Sequence, residues 1–162
     1  MHYIIALTEA ALTEMRALIF ALRPEALETG GLVSVLAKQG AAFHARHGIE
    51  VELDLGDEPD VPFSVKEAAY RVALEALQNA VRHAQPSLLQ VRLTREPASL
   101  LLEVCDDGVG FDPDLSYPGH LGLRSMQERI VALGGALEIR STPGHGTQVR
   151  ARFPMSADRL GA

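Results

Sequence analysis

The sequence predicts an α+β two-layer sandwich, in which a mostly antiparallel, mixed sheet carries helices on one face. Its 162 residues are 47% hydrophobic and 22% charged, which is typical of one globular domain plus an appendage. Apolar periodicity predicts the order helix, helix, strand, helix, two strands, long loop, helix, two strands. Short hairpin connections and irregularly placed helices favour this class over repeated βαβ units.

Two helices are predicted in the first third of the chain. Residues 4–23 carry a heptad pattern of apolar residues with a polar interruption at Thr8, and Pro24 is expected to end the helix. A helix with such a wide apolar stripe must pack against a partner, which is either the domain's own core or a second copy of the chain. The second helix is predicted over residues 32–47, with Gly48 as its stop.

A strand and a third helix follow. Residues 49–55 alternate strictly between apolar and acidic or polar residues, which predicts a half-buried strand at a possible sheet edge. The third helix is predicted to run from Ser64 to about Ala84. Ser64 and Glu67 have the spacing of a capping box.

The second half of the chain is predicted to contain two hairpins, separated by a long loop over residues 106–122 and a helix. A loop of that length in a small domain usually has a function. The predicted strands are 89–94, 100–105, 136–141 and 147–153, and the predicted helix is 123–133.

Composition excludes several classes of function. The formal net charge of −6 argues against a nucleic-acid binder, which would need a basic surface. The single cysteine, Cys105, excludes internal disulfides and is expected in the core. No apolar stretch approaches the roughly 20 residues of a membrane span. The sequence therefore predicts a cytoplasmic piece without direct membrane contact, although a parent protein anchored in a membrane remains compatible with it.

The third helix carries a line of polar residues. Glu75, Asn79 and His83 recur every four residues, and Arg71 and Arg82 flank them. Alanines on another face would let the helix lie close to the sheet and direct the polar line towards a cleft. The alternative is an ordinary solvated helix face.

A second motif follows a predicted buried strand. Asp106 can accept a hydrogen bond from an exocyclic amine such as that of adenine. Gly108 and Gly110 have no Cβ atom, which allows a ligand or backbone to approach closely. The alternative is a simple turn, because Asp and Gly are common turn residues.

A third motif precedes the last helix, whose free N–H groups could bind phosphate. It consists of the consecutive residues Gly119, His120, Leu121, Gly122 and Leu123, with Arg124 adding positive charge. A plain entry loop would explain it equally well. The chain contains neither a Walker A sequence nor a Rossmann glycine fingerprint.

These three motifs, followed by Gly146 and Thr147, resemble in type and order the four nucleotide-binding boxes shared by gyrase, histidine kinases and MutL. Residues 14–24 are similar to the end of the second dimerisation helix of the histidine kinases that pair with NarL/LuxR-type response regulators. Residues 122–129 are similar to the segment that follows their ATP lid. The resemblance covers essentially the whole chain and implies the Bergerat ATP-binding fold.

The resemblance also implies ATP and Mg²⁺ as cofactors. Asn79 would coordinate Mg²⁺, and Glu75 would orient a metal-bound water or act as a base. Residues 112–121 would form a mobile lid. The residues expected to bind the nucleotide are Asn79, Arg82, His83, Asp106, Gly108, Gly110, Gly119, His120, Leu121, Gly122, Leu123 and Thr147. Within this set, Asp106 would recognise the adenine base, and His83 and Arg82 would face the phosphates. Thr147 would contact the phosphate end of the nucleotide or the base of the lid.

The organisation implied by the resemblance is a remnant of the second dimerisation helix and linker over 1–28, a catalytic domain over 29–156 and a tail over 157–162. The phosphate-accepting histidine would lie on the first dimerisation helix, which none of these residues resembles. His2 lacks the neighbours of an acceptor motif, and three further histidines, His44, His47 and His145, are expected at the surface. The implied partners are the kinase's own dimerisation helices and a NarL/LuxR-type response regulator, with a possible homodimer through residues 4–22.

Two other functions remain open from the residues. The chain could be a degenerate nucleotide-binding interaction module, in which bound ATP only sets the conformation of the protein. It could also be a serine kinase of the anti-sigma type, although the helix over residues 4–24 is unexpected there.

Overall fold

One five-stranded mixed sheet forms the centre of the molecule. The computed structural model describes residues 24–115 and 120–155, so the predicted helix 4–23 lies outside the described residues. The strands are β1 (Glu50–Asp54), β2 (Leu88–Arg95), β3 (Ser99–Asp106), β4 (Ala136–Ser141) and β5 (Thr147–Pro154). Their order in the sheet is β1-β2-β3-β5-β4, with β1 parallel to β2 and every other pair antiparallel. The predicted sheet is confirmed, and β1 does lie at an edge.

Helices cover one face of this sheet. They are α1 (Pro24–His47), α2 (Phe63–Asn79) and α3 (His120–Ala132), and a π-helical turn over Ala80–Ala84 continues directly from α2. Their apolar sides share one core with alternate residues of β2, β3 and β5. The predicted two-layer α+β class is therefore confirmed. No described helix has both the length and the apolar character that crossing a membrane requires.

Small residues bring α2 close to the sheet. Ala69 and Ala73 are fully buried, and the other apolar residues predicted for this face are buried too, namely Ala76, Leu77, Ala80 and Ala84. Close packing of this helix fixes the position of the polar residues on its neighbouring face.

The other sheet face is mainly polar, although Leu101 on β3 is buried there. Arg150 on β5 pairs with Glu103 on β3 at 3.1 Å, and strand alternation puts Cys105 on the same side as Glu103. Cys105 is half-buried rather than in the core, so that prediction was wrong. It failed because the apolar run of β3 suggested burial on both faces, whereas helices cover only one. Burial, followed by the charge of Glu103, raises the pKa of this thiol.

A glycine interrupts α1. Gly31 has a φ of 77°, and helical turns lie on both sides of it. The prediction that a new helix begins at residue 32 agrees with this break. The residues before it, 25–30, are helical rather than part of an extended linker.

Glu58 stabilises the backbone at this interruption of α1. Its two carboxylate oxygens accept hydrogen bonds from the backbone N–H groups of Leu32 and Val33, both at 2.8 Å, and Lys66 lies 2.8 Å from one of them. A Cβ atom on Gly31 would lie only 2.7 Å from this carboxylate. Glu58 thus caps the second part of α1 from 26 residues away, a contact that local sequence patterns do not reveal.

The predicted capping box at the start of α2 is absent. Pro62 occupies the N-cap position, and no side chain caps the helix. Ser64 lies inside the first turn, and Glu67 accepts hydrogen bonds from Arg71 instead. The spacing of Ser64 and Glu67 is correct, but the helix begins two residues earlier than a Ser64 cap requires.

We expect Glu58→Gln to lower the free energy of unfolding by about 1 kcal/mol at neutral pH, because a helix cap is weakened. Burial alone would raise the pKa of Glu58, but hydrogen bonds from Lys66, Val33 and Leu32 lower it overall. A lowered folded-state pKa stabilises the fold above the unfolded-state pKa. The difference between wild type and variant should therefore shrink between about pH 5 and pH 2.

Urea unfolding at a series of pH values measures this effect. Glu28→Gln is the matched control, because Glu28 is exposed on the same helix. A Glu58→Gln loss that stays constant down to the lowest pH would contradict the role given to the charged cap.

Candidate functional site

A small apolar-walled pocket lies between α2, the sheet and the beginning of α3. Its volume is about 30 Å³, enough for a water molecule or two. Four predicted site residues, Asn79, Asp106, Leu123 and Thr147, line it. The other lining residues are Ala76, Ala80, Ala84, Val104, Phe111 and Val149.

Asp106 supplies a carboxylate to one end of the pocket. It is the last residue of β3 and pairs in register with Thr147, the first residue of β5. Its Oδ1 accepts a hydrogen bond from the backbone N–H of Gly108 at 2.9 Å. Burial raises the pKa of Asp106, and backbone hydrogen bonds from Gly108 and Thr147 oppose this. The result is an oriented, partly desolvated acceptor beside apolar walls.

The glycine loop after Asp106 packs against the π-helical turn. Val109 N–H donates to the carbonyl of Ala84 at 2.8 Å, and a Cβ atom on Gly108 would lie 2.3 Å from that oxygen. Gln85, which ends the turn, has a φ of 48°. Gly108 is therefore required by the close approach of backbone to backbone and forms part of the wall behind Asp106.

Asn79 and Glu75 meet the first turn of α3. The Nδ2 atom of Asn79 is buried and has no hydrogen-bond partner in the described part of the chain. A Cβ atom on Gly122 would lie 2.1 Å from Glu75 Oε1 and 3.2 Å from Asn79 Nδ2. A buried amide without a partner is costly. Its presence next to a carboxylate is typical of a binding site rather than of a packing contact.

His83 and Arg82 lie in the π-helical turn. The i to i+5 pattern of this turn begins directly after Asn79, so the chain between Asn79 and His83 is not a regular α-helix. His83 is half-buried, and Arg82 is exposed. Neither residue lines the pocket.

The described part of the third predicted motif, residues 120–123, forms the first turn of α3 rather than a loop before it. The helix begins at His120, three residues before the predicted start. Gly122 therefore contacts Glu75 from within a helix, and Leu123 lines the pocket. Leu121 is 83% exposed and points away from the pocket. Gly119 and the side chain of His120 lie outside the described structure.

On its other side, the loop that follows Asp106 packs against the C-terminal hairpin through Gly110. A Cβ atom on Gly110 would lie 2.2 Å from the carbonyl oxygen of Thr142, and one on Gly146 would lie 2.0 Å from that of Asp106. The hydroxyl of Ser141 accepts from Phe111 N–H at 2.8 Å and lies 2.9 Å from Thr147 Oγ1. The hairpin that carries Thr147 thus holds the loop in place.

Sequence reasoning missed one residue that lines the pocket and one that supports the strand end beside it. Phe111 contributes an aromatic wall; an apolar residue directly after a polar glycine motif was the available signal. Asp107 accepts hydrogen bonds from the backbone N–H groups of Ser87 and Leu88 at 2.8 and 2.9 Å and from the Ser87 hydroxyl at 2.5 Å. These bonds, led by that of the Ser87 hydroxyl, lower its pKa. Asp107 thereby anchors the strand end on which Asp106 lies.

The donor set fits a metal that is bound only partly by protein. In the described ranges, no three His, Cys, Asp or Glu side chains converge as a metal centre. Asn79 and Glu75 lie together at Gly122 and carry oxygen atoms of the hard type that Mg²⁺ prefers when waters and phosphates complete its coordination. His44, His47 and His145 are exposed, as predicted, while His2 lies outside the described residues.

Comparison with known proteins agrees with this geometry. Residues 64–157 match the model of the family described as histidine kinase-, DNA gyrase B-, and HSP90-like ATPase. The chain is 36% identical over 151 residues to the sensor histidine kinase LiaS of Bacillus subtilis, covering 93% of this chain and 42% of LiaS. It is 39% identical over 153 residues to the sensor histidine kinase MctS of Rhizobium johnstonii, covering 92% and 33% of the two chains.

A solved structure has the same fold. The histidine kinase domain of a blue-light activated histidine kinase from Erythrobacter litoralis superposes with a TM-score of 0.66 at 28% identity, covering 76% of this chain and 61% of that one. The chain spans less than half the length of the curated relatives named here.

Proposed function

Because this chain belongs to the family of histidine kinase-, DNA gyrase B- and HSP90-like ATPases, we propose that residues 29–156 are the Mg-ATP-binding catalytic domain of a sensor histidine kinase. The observation that carries this proposal is the position of Asp106. Its half-buried carboxylate ends a core strand at an apolar pocket with an aromatic wall at Phe111. Such a pocket suits a flat base that presents one amine.

Adenine recognition is the proposed role of this end of the site. Gly108 N–H and Thr147 N–H hold the Asp106 carboxylate in place, which leaves lone pairs for the exocyclic amine. The pocket, at about 30 Å³, has room for water rather than for a base. We propose that the loop at Phe111 or the first turn of α3, at Leu123, moves outwards when the base enters.

Phosphate and metal binding are the proposed roles of the other end. Asn79 would bind Mg²⁺ through its amide oxygen, and Glu75 would orient a metal-bound water or accept a proton. When bound, the metal would neutralise charge on the phosphates. His83 and Arg82 would face the phosphates outside this pocket, since neither lines it.

The partners are proposed from the relatives and from the sequence. The relatives named above are sensor histidine kinases by name. We infer that the γ-phosphate passes to a histidine on dimerisation helices and then to a response regulator of the NarL/LuxR type. Residues 1–28 would be the remnant of a dimerisation helix, and residues 4–22 would pair with a second copy.

Titration of the chain with ATP tests this function. We expect ATP to bind with an affinity that Mg²⁺ increases, measured by calorimetry. The chain incubated with γ-labelled ATP should carry no acid-labile phosphate, because none of its six histidines is proposed as the acceptor. Addition of a polypeptide with the acceptor helix should then allow phosphohistidine to form on that polypeptide.

Failure to bind ATP would refute the proposal outright. Stoichiometric phosphohistidine on the chain itself would show that the acceptor assignment is wrong. ATP binding that is unaffected by Mg²⁺ would favour the degenerate nucleotide-binding module.

A further inference from the structure

Four charged side chains meet where α2 and α3 pack together. We call them the charged seam: Glu67, Arg71 and Glu75 on α2, and Arg129 on α3. The two helices run antiparallel, because Gly122 at the start of α3 meets Glu75, whereas Arg129 near its end lines a groove with Glu67. The seam thus extends from that groove to the candidate site.

Arg71 has two carboxylates within reach along its own helix. Glu67 lies four residues before it and Glu75 four residues after it, and both spacings allow side chains to meet. Among the described residues, Arg71 binds Glu67 alone, with Nε at 3.0 Å and Nη2 at 2.8 Å from the same oxygen. Glutamate N-terminal to the cation is also the more favourable of the two orientations.

The carboxylate of Glu75 stays at the candidate site as a result. It lies against Gly122, next to the buried amide of Asn79. It makes no hydrogen bond or ion pair with other residues in the part of the chain that the structure describes. An arginine bound to Glu75 would neutralise its charge and draw it away from Asn79.

Arg129 adds a second guanidinium group near Glu67 and Arg71. Its guanidinium is half-buried, and burial followed by the positive charge of Arg71 lowers its pKa. Glu67 and Glu75 both lie within electrostatic range of it. Arg129 therefore attracts Glu67 from α3, while Arg71 binds the same carboxylate from α2.

We propose that Glu67 is a positioning residue for Glu75: by holding Arg71 it prevents that guanidinium from pairing with Glu75, whose carboxylate remains available beside Asn79. The inference rests on the proposed function, since it assigns Glu75 to the metal end of the nucleotide site. Glu67→Gln should release Arg71, which then pairs with Glu75.

ATP affinity with Mg²⁺ and with a chelator distinguishes this role from simple structural support. In Glu67→Gln we expect the gain in affinity due to Mg²⁺ to fall about tenfold, with affinity in chelator unchanged. Arg71→Gln should resemble wild type, because the guanidinium group that lies four residues from Glu75 on the same helix is gone. For the same reason the double variant, Glu67→Gln with Arg71→Gln, should recover the wild-type gain.

A double variant as impaired as Glu67→Gln would overturn the inference, as would a Glu67→Gln protein with the full Mg²⁺ effect. Crystal structures of Glu67→Gln and wild type provide a readout that does not depend on ATP. Arg71 at ion-pair distance from Glu75 in the variant alone supports the proposal, and any other position of Arg71 contradicts it. If the wild type bound no ATP, the proposed function would fail, while these structures would still decide the positioning role.

Discussion

Replacing Asp106 by asparagine is expected to weaken ATP binding on the order of 100-fold, because a hydrogen bond to a charged acceptor is replaced by a repulsive contact. In the wild type, Oδ1 accepts from Gly108 N–H. An asparagine would keep this bond by placing its carbonyl oxygen there. Its NH₂ group would then face the adenine amine, and two donors would oppose each other.

Calorimetric titration with ATP and ADP measures this loss. Asp107→Asn is the matched control, since this neighbouring carboxylate binds Ser87 and Leu88 rather than the pocket. It should lower the free energy of unfolding with a much smaller change in nucleotide affinity. Wild-type affinity in Asp106→Asn would exclude Asp106 as the residue that reads adenine.

Asn79→Ala is expected to reduce the Mg²⁺-dependent part of ATP binding by about 10- to 100-fold, as loss of a ligand or of its close support usually does. The variant removes both the amide oxygen proposed as the metal ligand and the buried Nδ2 that has no partner in the described structure. Removal of such a buried polar atom relieves a desolvation cost. We therefore expect the fold to lose little stability, or none.

Binding with Mg²⁺ and with a chelator separates the two effects. Gln78→Ala, at the adjacent and similarly half-buried position of α2, should leave both affinities unchanged. If Asn79→Ala lowered affinity equally with and without Mg²⁺, Asn79 would be a contact to the nucleotide rather than to the metal.

Periodic patterns predicted the elements of the fold well. The hairpin of β2 and β3 and that of β4 and β5 were predicted to within about two residues at each end, because alternation and turn residues are local signals. Predictions that depended on a helix terminus were less accurate. Ser64 was not a cap, and α3 began at His120 rather than at Leu123, since tertiary contacts decide where a helix begins.

The candidate site was predicted as a set of residues but not as an arrangement. Asn79, Asp106, Leu123 and Thr147 do line one pocket. His83 was expected at the site with Asn79, but it does not line the pocket and lies in a π-helical turn instead. A π-helical turn has no recognisable local signature in this sequence, and here it is accompanied by the close approach of Gly108 to Ala84.

By itself, the sequence determined the fold class and the residue types of the site, because apolar period, glycine placement and motif order are properties of neighbouring residues. Only the tertiary structure decided which partners those residues take. Glu58 caps a helix 26 positions away, and Gly122 brings α3 onto Glu75. Glu67 binds Arg71 where a capping role was expected. Each charged or polar group had several partners within reach, and packing of the whole chain selected one of them.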